Sequence, residues 1–551
     1  MDEMRLTGPA EGGSIRTKLV SLCMCLGFAA VAGKAAMVAT TPQAQNKAAS
    51  GVFEEPLRRA DIVDRNGELL ATSVSVYSLF ADPRAIWDPA EVAMGVASVL
   101  PDIDVDDLTA RLANRDRAFT WVRRGLTPRQ RQAIYDLGLE GLDFREESRR
   151  AYPRGTLAGH VLGYAGADGQ GLAGVEYAMD SELLEGSGPL RLTIDSNVQF
   201  ALEAELAAGA GEHDAEGGAG VVLNARNGEV LALASWPPID PNRAFDLSRD
   251  DPARLNRAAG AVYELGSVFK PLTMAAALDT GAIRPSDRFD VREPLVISGR
   301  TITDTHPISG HASPTEIISE SSNIGTVKVA IMLGARRQQE MLAALGLFSR
   351  SPIEVAGSAA PILPQQFDDI HAATISYGHG IAVTPIAFAS AFSVFANGGE
   401  VIEPTIILEG KHRRRTKRVF SAPTAAVVTQ MLREAVVHGT GEHAEVAGYR
   451  VAGKTGTAEK PVAGGYSDED NITSFAAVFP ADSPDYVVLI VLDAPKQGAG
   501  LGRTAAYNAA PTAGRVIERV APMLGVEPKF EDLGRGDSPL VRSVSERRSS
   551  L

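Results

Sequence analysis

The sequence predicts an α+β protein: an antiparallel sheet flanked by helices, preceded by a mixed α/β region and one N-terminal membrane-spanning helix. Three observations carry this reading. Strand–turn–strand signals sit at both ends of the stretch beginning at Pro189, with helical segments between them. The region before it mixes turns and helical runs without a single period. Leu19–Ala39 is a largely apolar run of 21 residues, close to the ~20 that cross a bilayer.

Arg5, Arg16 and Lys18 precede the apolar run, which places residues 1–18 as a cytoplasmic tail. Within residues 19–39, Lys34 interrupts the run and can snorkel to the outer interface. A cleaved signal peptide is the alternative, and either reading exports the rest of the chain. Thr40–Ser50 is a small, polar linker opening a module over residues 40–187. There, Asn66-Gly67 marks a tight turn and 104–139, rich in Ala, Arg and Leu, reads as helical. Gly186-Ser187-Gly188 marks its end.

A second domain covers 188–525. Val221–Leu223 and Val230–Ala234 flank a turn at Asn227-Gly228, and Ser474–Phe479 and Tyr486–Leu492 flank Pro480–Pro484. Strands at both ends imply a sheet closed by the first and last segments. Between them, Thr384 caps a helix with Pro385 at its first position and Gly398-Gly399 as its stop, and another helix ends at His438-Gly439. The basic run Lys411–Arg418 reads as a solvated loop. The polar tail 526–551 reads as disordered.

Composition excludes some classes. The net charge is −14, against a nucleic-acid binder. Cys23 and Cys25 are the only cysteines, and both lie in the apolar run, so the exported part has no disulfide or cysteine metal site. Nothing calls for a metal or an organic cofactor.

Among 11 lysines and 43 arginines, none of the lysines falls between Lys47 and Lys270. Lys270 stands three residues after Ser267, in Gly-Ser-Val-Phe-Lys-Pro. Pro271 prevents a regular helix from extending far upstream, so Ser267 lies at a helix start with Lys270 one turn on. A hydroxyl beside an amine is a nucleophile with its base. Lysine can be that base because it can lose its proton, whereas arginine cannot. Being half neutral at pH 7 requires about 4.6 kcal/mol of destabilised charge, from near-complete burial or a second cation. Alone the signal is weak, since roughly one such spacing is expected by chance.

Two more motifs strengthen it. Ser321-Ser322-Asn323 begins 54 residues after Ser267, and Lys454-Thr455-Gly456-Thr457 begins 131 residues after Asn323. The latter follows Tyr449–Ala452, a strand-like run, and Gly456 suits close approach by another backbone. In this order the three motifs are the signature of penicillin-binding proteins and class A β-lactamases.

With Arg59–Gly67, Arg150-Ala-Tyr-Pro153, Gly174-Val-Glu176 and Tyr377-Gly378 added, residues 50–525 resemble the class B penicillin-binding proteins, specifically the cell-division transpeptidases of FtsI type. The resemblance implies a penicillin-binding transpeptidase fold over 188–525 and a pedestal or dimerisation-type, partner-docking module over 40–187. It implies a D,D-transpeptidase that cross-links peptidoglycan stem peptides ending in D-Ala-D-Ala during septal wall synthesis, and that β-lactams inhibit. Ser267 would be the nucleophile and Lys270 its base. Ser321 would relay a proton and Lys454 supply positive potential, while Asn323 would orient Lys270 and the substrate amide. Thr455 and Thr457 would hold the substrate carboxylate, with the peptide added as a strand along Lys454–Thr457 and an oxyanion hole from the N–H groups of Ser267 and Thr457. Implied partners are a polytopic septal glycosyltransferase and other division proteins, and the implied location is the inner membrane, single-pass, with the catalytic domain in the periplasm. Two departures stand out: Leu265 replaces a usual proline, and His379, read as structural, replaces a commoner apolar residue. The rivals are a D,D-carboxypeptidase or β-lactamase-type hydrolase and a non-catalytic penicillin-binding scaffold or sensor.

Overall fold

The computed structural model describes residues 58–530 except 187, 409–415, 463 and 497–501, together with Leu22, Met24, Phe28, Ala29 and Lys34. Those five are helical and exposed, and the rest of the expected spanning helix lies outside the described residues. Among the described residues, no helix is long and apolar enough to cross a membrane. Contacts divide the chain into Met1–Leu57 and Arg58–Leu551, and the second unit holds both large sheets and the candidate site.

The first sheet is built from β1 (Ile62–Val63), β2 (Leu69–Ala81), β3 (Thr120–Leu126), β4 (Leu142–Ala151) and β5 (Leu190–Arg191). Asn66-Gly67 turns β1 into β2 as expected, with Asp64 Oδ1 accepting from the N–H groups of Asn66 and Glu68. The stretch 104–139 is not continuously helical. Helices Val105–Leu112 and Pro128–Asp136 flank β3, which pairs with β2. Thr120, Val122 and Leu126 are buried, so a period of two wins locally over the helical composition around it.

Motifs that are far apart in sequence meet in this module. Glu176, fully buried, takes Arg59 Nε at 2.8 Å and Arg150 Nε at 2.6 Å, and Arg59 also pairs with Asp180. β5 runs parallel to β1, and Ile62 and Leu70 share one hydrophobic core with residues of the second sheet such as Val221 and Leu489.

The second sheet contains β6 (Gly217–Asn224), β7 (Val230–Trp236), β8 (Ala452–Val462), β9 (Gly465–Phe479) and β10 (Tyr486–Asp493), in the order β8-β9-β10-β6-β7. Its first and last segments do close it: β10 pairs antiparallel with β6 from Tyr486↔Asn224 to Asp493↔Gly217. Alternate residues of β10 enter different cores. Val487, Leu489 and Val491 face the core holding helix α1 (Lys270–Asp279), while Val488, Ile490 and Leu492 face a second core with Ala509–Met523. Covering both faces explains why β10 reads as an unbroken apolar run.

Thr384 caps Pro385–Phe392 as expected, its Oγ1 accepting from Ala387 N–H, but the α-helix tightens into a 3-10 turn at Ser393–Phe395 and so ends short of the expected stop at Gly398-Gly399, whereas Ala422–Val437 ends at His438 as expected. β8 starts at Ala452 rather than Tyr449, because Tyr449 N–H closes a turn onto Val446 and Arg450 has φ +44°. Of the basic run, Thr416–Arg418 pairs with Glu400–Ile402 and 411–415 lies outside the described residues. Lys529 N–H bonds Gly448 O at 2.8 Å, so the tail stays attached at least to there. Residues 531–551 lie outside the described residues.

Candidate active site

The nucleophile segment is held by close backbone approaches. Gly266–Phe269 forms a 3-10 turn and α1 begins at Lys270, with Pro271 in its first turn. The turn lies against β8, the edge strand of its sheet. A Cβ on Gly456 would come within 2.2 Å of Leu265 O, and one on Gly266 (φ +64°) within 2.7 Å of Thr457 O. Only glycine permits either approach. Leu265 is fully buried and its carbonyl accepts from Ser474 Oγ at 2.8 Å, so the approach is fixed without a proline ring.

Lys270 is wholly buried. Its Nζ donates to Ser321 O at 2.5 Å and to Ser321 Oγ at 3.1 Å. Burial, then the Lys454 charge, drives its pKa well below the usual lysine range, with Asp304 opposing. The second cation that the chemistry requires is therefore present. Lys454 is itself fully buried and is pushed down to about 7 by desolvation, against Glu320. Its Nζ donates to Thr455 O (3.1 Å), Thr455 Oγ1 (3.2 Å) and Thr440 Oγ1 (3.4 Å), and the two threonine hydroxyls lie 2.8 Å apart.

Ser321 sits between helices Pro314–Ser319 and α2 (Asn323–Leu333), at φ +61°. A left-handed serine is costly by roughly 1–3 kcal/mol and is tolerated where surroundings impose it. Here it presents both carbonyl and hydroxyl to Lys270. Ser322 caps α2 and bonds Asp304 at 2.6 Å, and Asp304 also accepts from the N–H groups of Asn323 (2.5 Å) and Ile324 (3.0 Å). Asn323 is not bonded to Lys270: its Nδ2 donates to Thr303 O at 3.0 Å. The strained turn explains the difference, since Ser321 itself occupies the amine.

A cleft of about 320 Å³ brings together Ser267, Ser321, Asn323, Thr440, Thr455 and Thr457. Lys270 and Lys454 lie buried beside it, and Gly456 lies within β8 under the nucleophile turn. Thr457 Oγ1 also accepts from Ala505 N–H at 3.1 Å. Sequence reading missed Thr440 and Asp304. Thr440 had a faint signal, a hydroxyl just past the helix stop at His438-Gly439, whereas Asp304 had none. His379, expected to be structural, instead lines the cleft, its ring 5.3 Å from Tyr377 and 6.0 Å from Tyr466.

Residues 218–518 match the penicillin binding protein transpeptidase domain, and residues 54–191 match the penicillin-binding protein dimerisation domain. The chain belongs to the class B penicillin-binding proteins. It is 42% identical over 497 residues to the probable peptidoglycan D,D-transpeptidase FtsI of Caulobacter vibrioides, covering 87% of this chain and 84% of that one. Against the peptidoglycan D,D-transpeptidase FtsI of Escherichia coli K12 the identity is 30% over 504 residues, covering 85% and 84%. Penicillin binding protein 3 of Mycobacterium tuberculosis, solved with ampicillin, superposes with a TM-score of 0.69 at 27% identity, over 87% of this chain and 98% of that one. In this penicillin-binding protein the dimerisation match ends at Arg191, the last residue of β5.

Proposed function

We propose that this penicillin-binding protein is a peptidoglycan D,D-transpeptidase acting through an acyl-Ser267 intermediate. The observation that carries the reading is a wholly buried Lys270 amine bonded to Ser321, which lines the same cleft as Ser267. Ser267 Oγ gives its proton to neutral Lys270 and bonds the carbonyl between the two terminal D-alanines of a stem peptide. Backbone N–H groups of Ser267 and Thr457 receive the oxyanion, each donor contributing about 2.7–4 kcal/mol. As the peptide C–N bond breaks, the proton passes from Lys270 through Ser321 to the departing D-alanine. A neutral amine of a second stem peptide then forms the new C–N bond, the ester C–Oγ bond breaks, and one amine proton returns to Ser267 by way of Lys270.

Lys454 lends positive potential, and with Thr440, Thr455 and Thr457 it receives the terminal carboxylate. Asn323 faces the cleft and orients the substrate amide. The donor adds as a strand along β8, the edge strand of its sheet. A β-lactam imitates the D-Ala-D-Ala end and leaves Ser267 acylated.

The apolar run 19–39 and the basic residues before it support a single-pass anchor in the inner membrane, with 1–18 in the cytoplasm and the catalytic domain in the periplasm at the septum. Residues 40–187 serve as the pedestal for 188–525, and 526–551 as a tail. The anchor and pedestal are the surfaces offered to a polytopic septal glycosyltransferase and other division proteins.

The deciding experiment is the intact mass of the exported portion against time after adding benzylpenicillin, beside Ser267→Ala. One adduct on the wild type only, persisting for hours, supports the reading. An adduct that clears in seconds would make this a hydrolase, and no adduct would leave a scaffold.

A further inference from the structure

Asp304 follows the short strand Arg300–Ile302, whose last residue is buried, and is itself half-buried. Its carboxylate spans the start of α2. Oδ2 accepts from Ser322 Oγ at 2.6 Å, and Oδ1 accepts from the N–H groups of Asn323 at 2.5 Å and Ile324 at 3.0 Å. The neighbouring carbonyl, Thr303 O, takes Asn323 Nδ2 at 3.0 Å. Two consecutive residues therefore grip both the backbone and the side chain of Asn323. The next two, Thr305 and His306, line the catalytic cleft, so this clamp also joins one wall of the cleft to the second motif. The three donors to the carboxylate are all neutral. A helix N-terminus favours an anion at this place but does not cancel its charge.

Ser321, which holds the Lys270 amine, immediately precedes the residues that Asp304 grips. The carboxylate thus stands one residue from the amine's own partner. Burial and the Lys454 charge push Lys270 down, and Asp304 opposes both. The other titratable groups near the amine do not share that task. Glu320 acts on Lys454. His379 is held down to about 4 by burial, with Lys270 and Arg300 adding to the effect, and is neutral near pH 7. A base lowered too far loses its own proton readily but holds the one from Ser267 weakly, so its strength has an optimum.

We propose that Asp304 is a positioning residue for acylation: its clamp aims Asn323 and Ser321, and its negative charge supports the ammonium that Lys270 becomes on taking the Ser267 proton. The clamp and the charge are separable. An amide at position 304 can still accept from both N–H groups and donate to Ser322 Oγ, so Asp304→Asn keeps the clamp and removes the charge. Ser322→Ala removes one arm of the clamp and keeps the charge.

This rests on the transpeptidase reading, and the test separates the two. Second-order rates of acylation by benzylpenicillin are measured from about pH 4 to pH 9 on the full chain in detergent, for the wild type, Asp304→Asn and Ser322→Ala. Each profile is scaled to its own maximum, and the fraction of folded enzyme does not alter its shape. Asp304→Asn should lower the maximum and move the acid limb to lower pH. On that limb its scaled rate should exceed the wild type's about threefold, the effect of half a pK unit. Ser322→Ala should lower the maximum and leave the limb in place. No acylation of the wild type at any pH overturns the proposed function. Acylation with the Asp304→Asn limb unmoved, or moved to higher pH, overturns the role of the charge alone and leaves Asp304 a helix cap. An equal shift in Ser322→Ala overturns it too, by assigning the shift to the clamp. So does a wild-type profile without an acid limb, since Lys270 would then need no support.

Discussion

Lys270 Nζ donates to both the carbonyl (2.5 Å) and the hydroxyl (3.1 Å) of Ser321, a left-handed serine that follows the helix Pro314–Ser319. One backbone turn thus fixes the amine and the proton relay together. Lys270→Arg should be as inert as Lys270→Ala, although it keeps the charge, because a guanidinium does not release its proton. A fluorescent penicillin reports the result on a gel. Substantial labelling of the arginine variant would remove Lys270 from the role of base.

Ser321→Gly separates the relay from the strain. Glycine accepts φ +61° without cost and keeps the carbonyl bond, so stability should hold or rise slightly. Turnover of a stem-peptide analogue should fall by roughly 10²–10⁴, the usual contribution of a positioned proton-transfer group. Thermal melting beside turnover checks both halves, and a variant that turns over normally would sink the relay.

The pH dependence follows from two lowered lysines. Lys270 must be neutral and Lys454 charged, so acylation should rise as Lys270 loses its proton and fall as pH passes about 7 and Lys454 loses its own. Stability moves the other way. Both folded pKa values lie below the unfolded value near 10.4, so between them the unfolded chain holds more protons and stability increases with pH. Lys454→Met should therefore melt higher than wild type at pH 7 while acylating poorly, with the gap narrowing toward pH 10. Stopped-flow acylation and melting across this range test the pair, and a rate still rising at pH 9 would refute the assignment of Lys454.

Gly456→Ala places a Cβ 2.2 Å from Leu265 O and 2.4 Å from Ser474 Oγ. Neither β8 nor the nucleophile turn can yield without breaking the Ser474–Leu265 bond. Acylation should drop at least 100-fold, with a stability loss of about 1–3 kcal/mol, the range for overpacking. Wild-type labelling by fluorescent penicillin would show that the turn is free to move.

Glu176→Gln leaves Arg150 without a carboxylate and Arg59 with only Asp180. Breaking a buried pair costs about 3–5 kcal/mol, so the melting temperature should fall by several degrees. Labelling at 25 °C should persist, since this cluster belongs to the N-terminal module. Calorimetry beside labelling distinguishes the two.

Much of the second sheet was legible. Asn227-Gly228 and Pro480–Pro484 announce turns, and the apolar runs around them announce strands, because both signals are local. The three motifs were legible for the same reason: a lysine in the first turn after a serine, and a glycine inside a strand, each have a short-range meaning. The strand at Thr120–Leu126 was hidden among helix-favouring neighbours, and only pairing with β2 selects its period.

By itself, the sequence determined which groups the chemistry uses: a serine, a lysine able to lose its proton, a second lysine and a hydroxyl-rich strand. Only the tertiary structure decided their states. Lowering the Lys270 pKa depends on complete burial and on a cation 184 positions away in the chain, at Lys454. Tying it to Ser321 rather than Asn323 depends on a strained turn that Asp304 and the α2 cap hold in place. Desolvation and like-charge repulsion act through space, and no stretch of chain carries them alone.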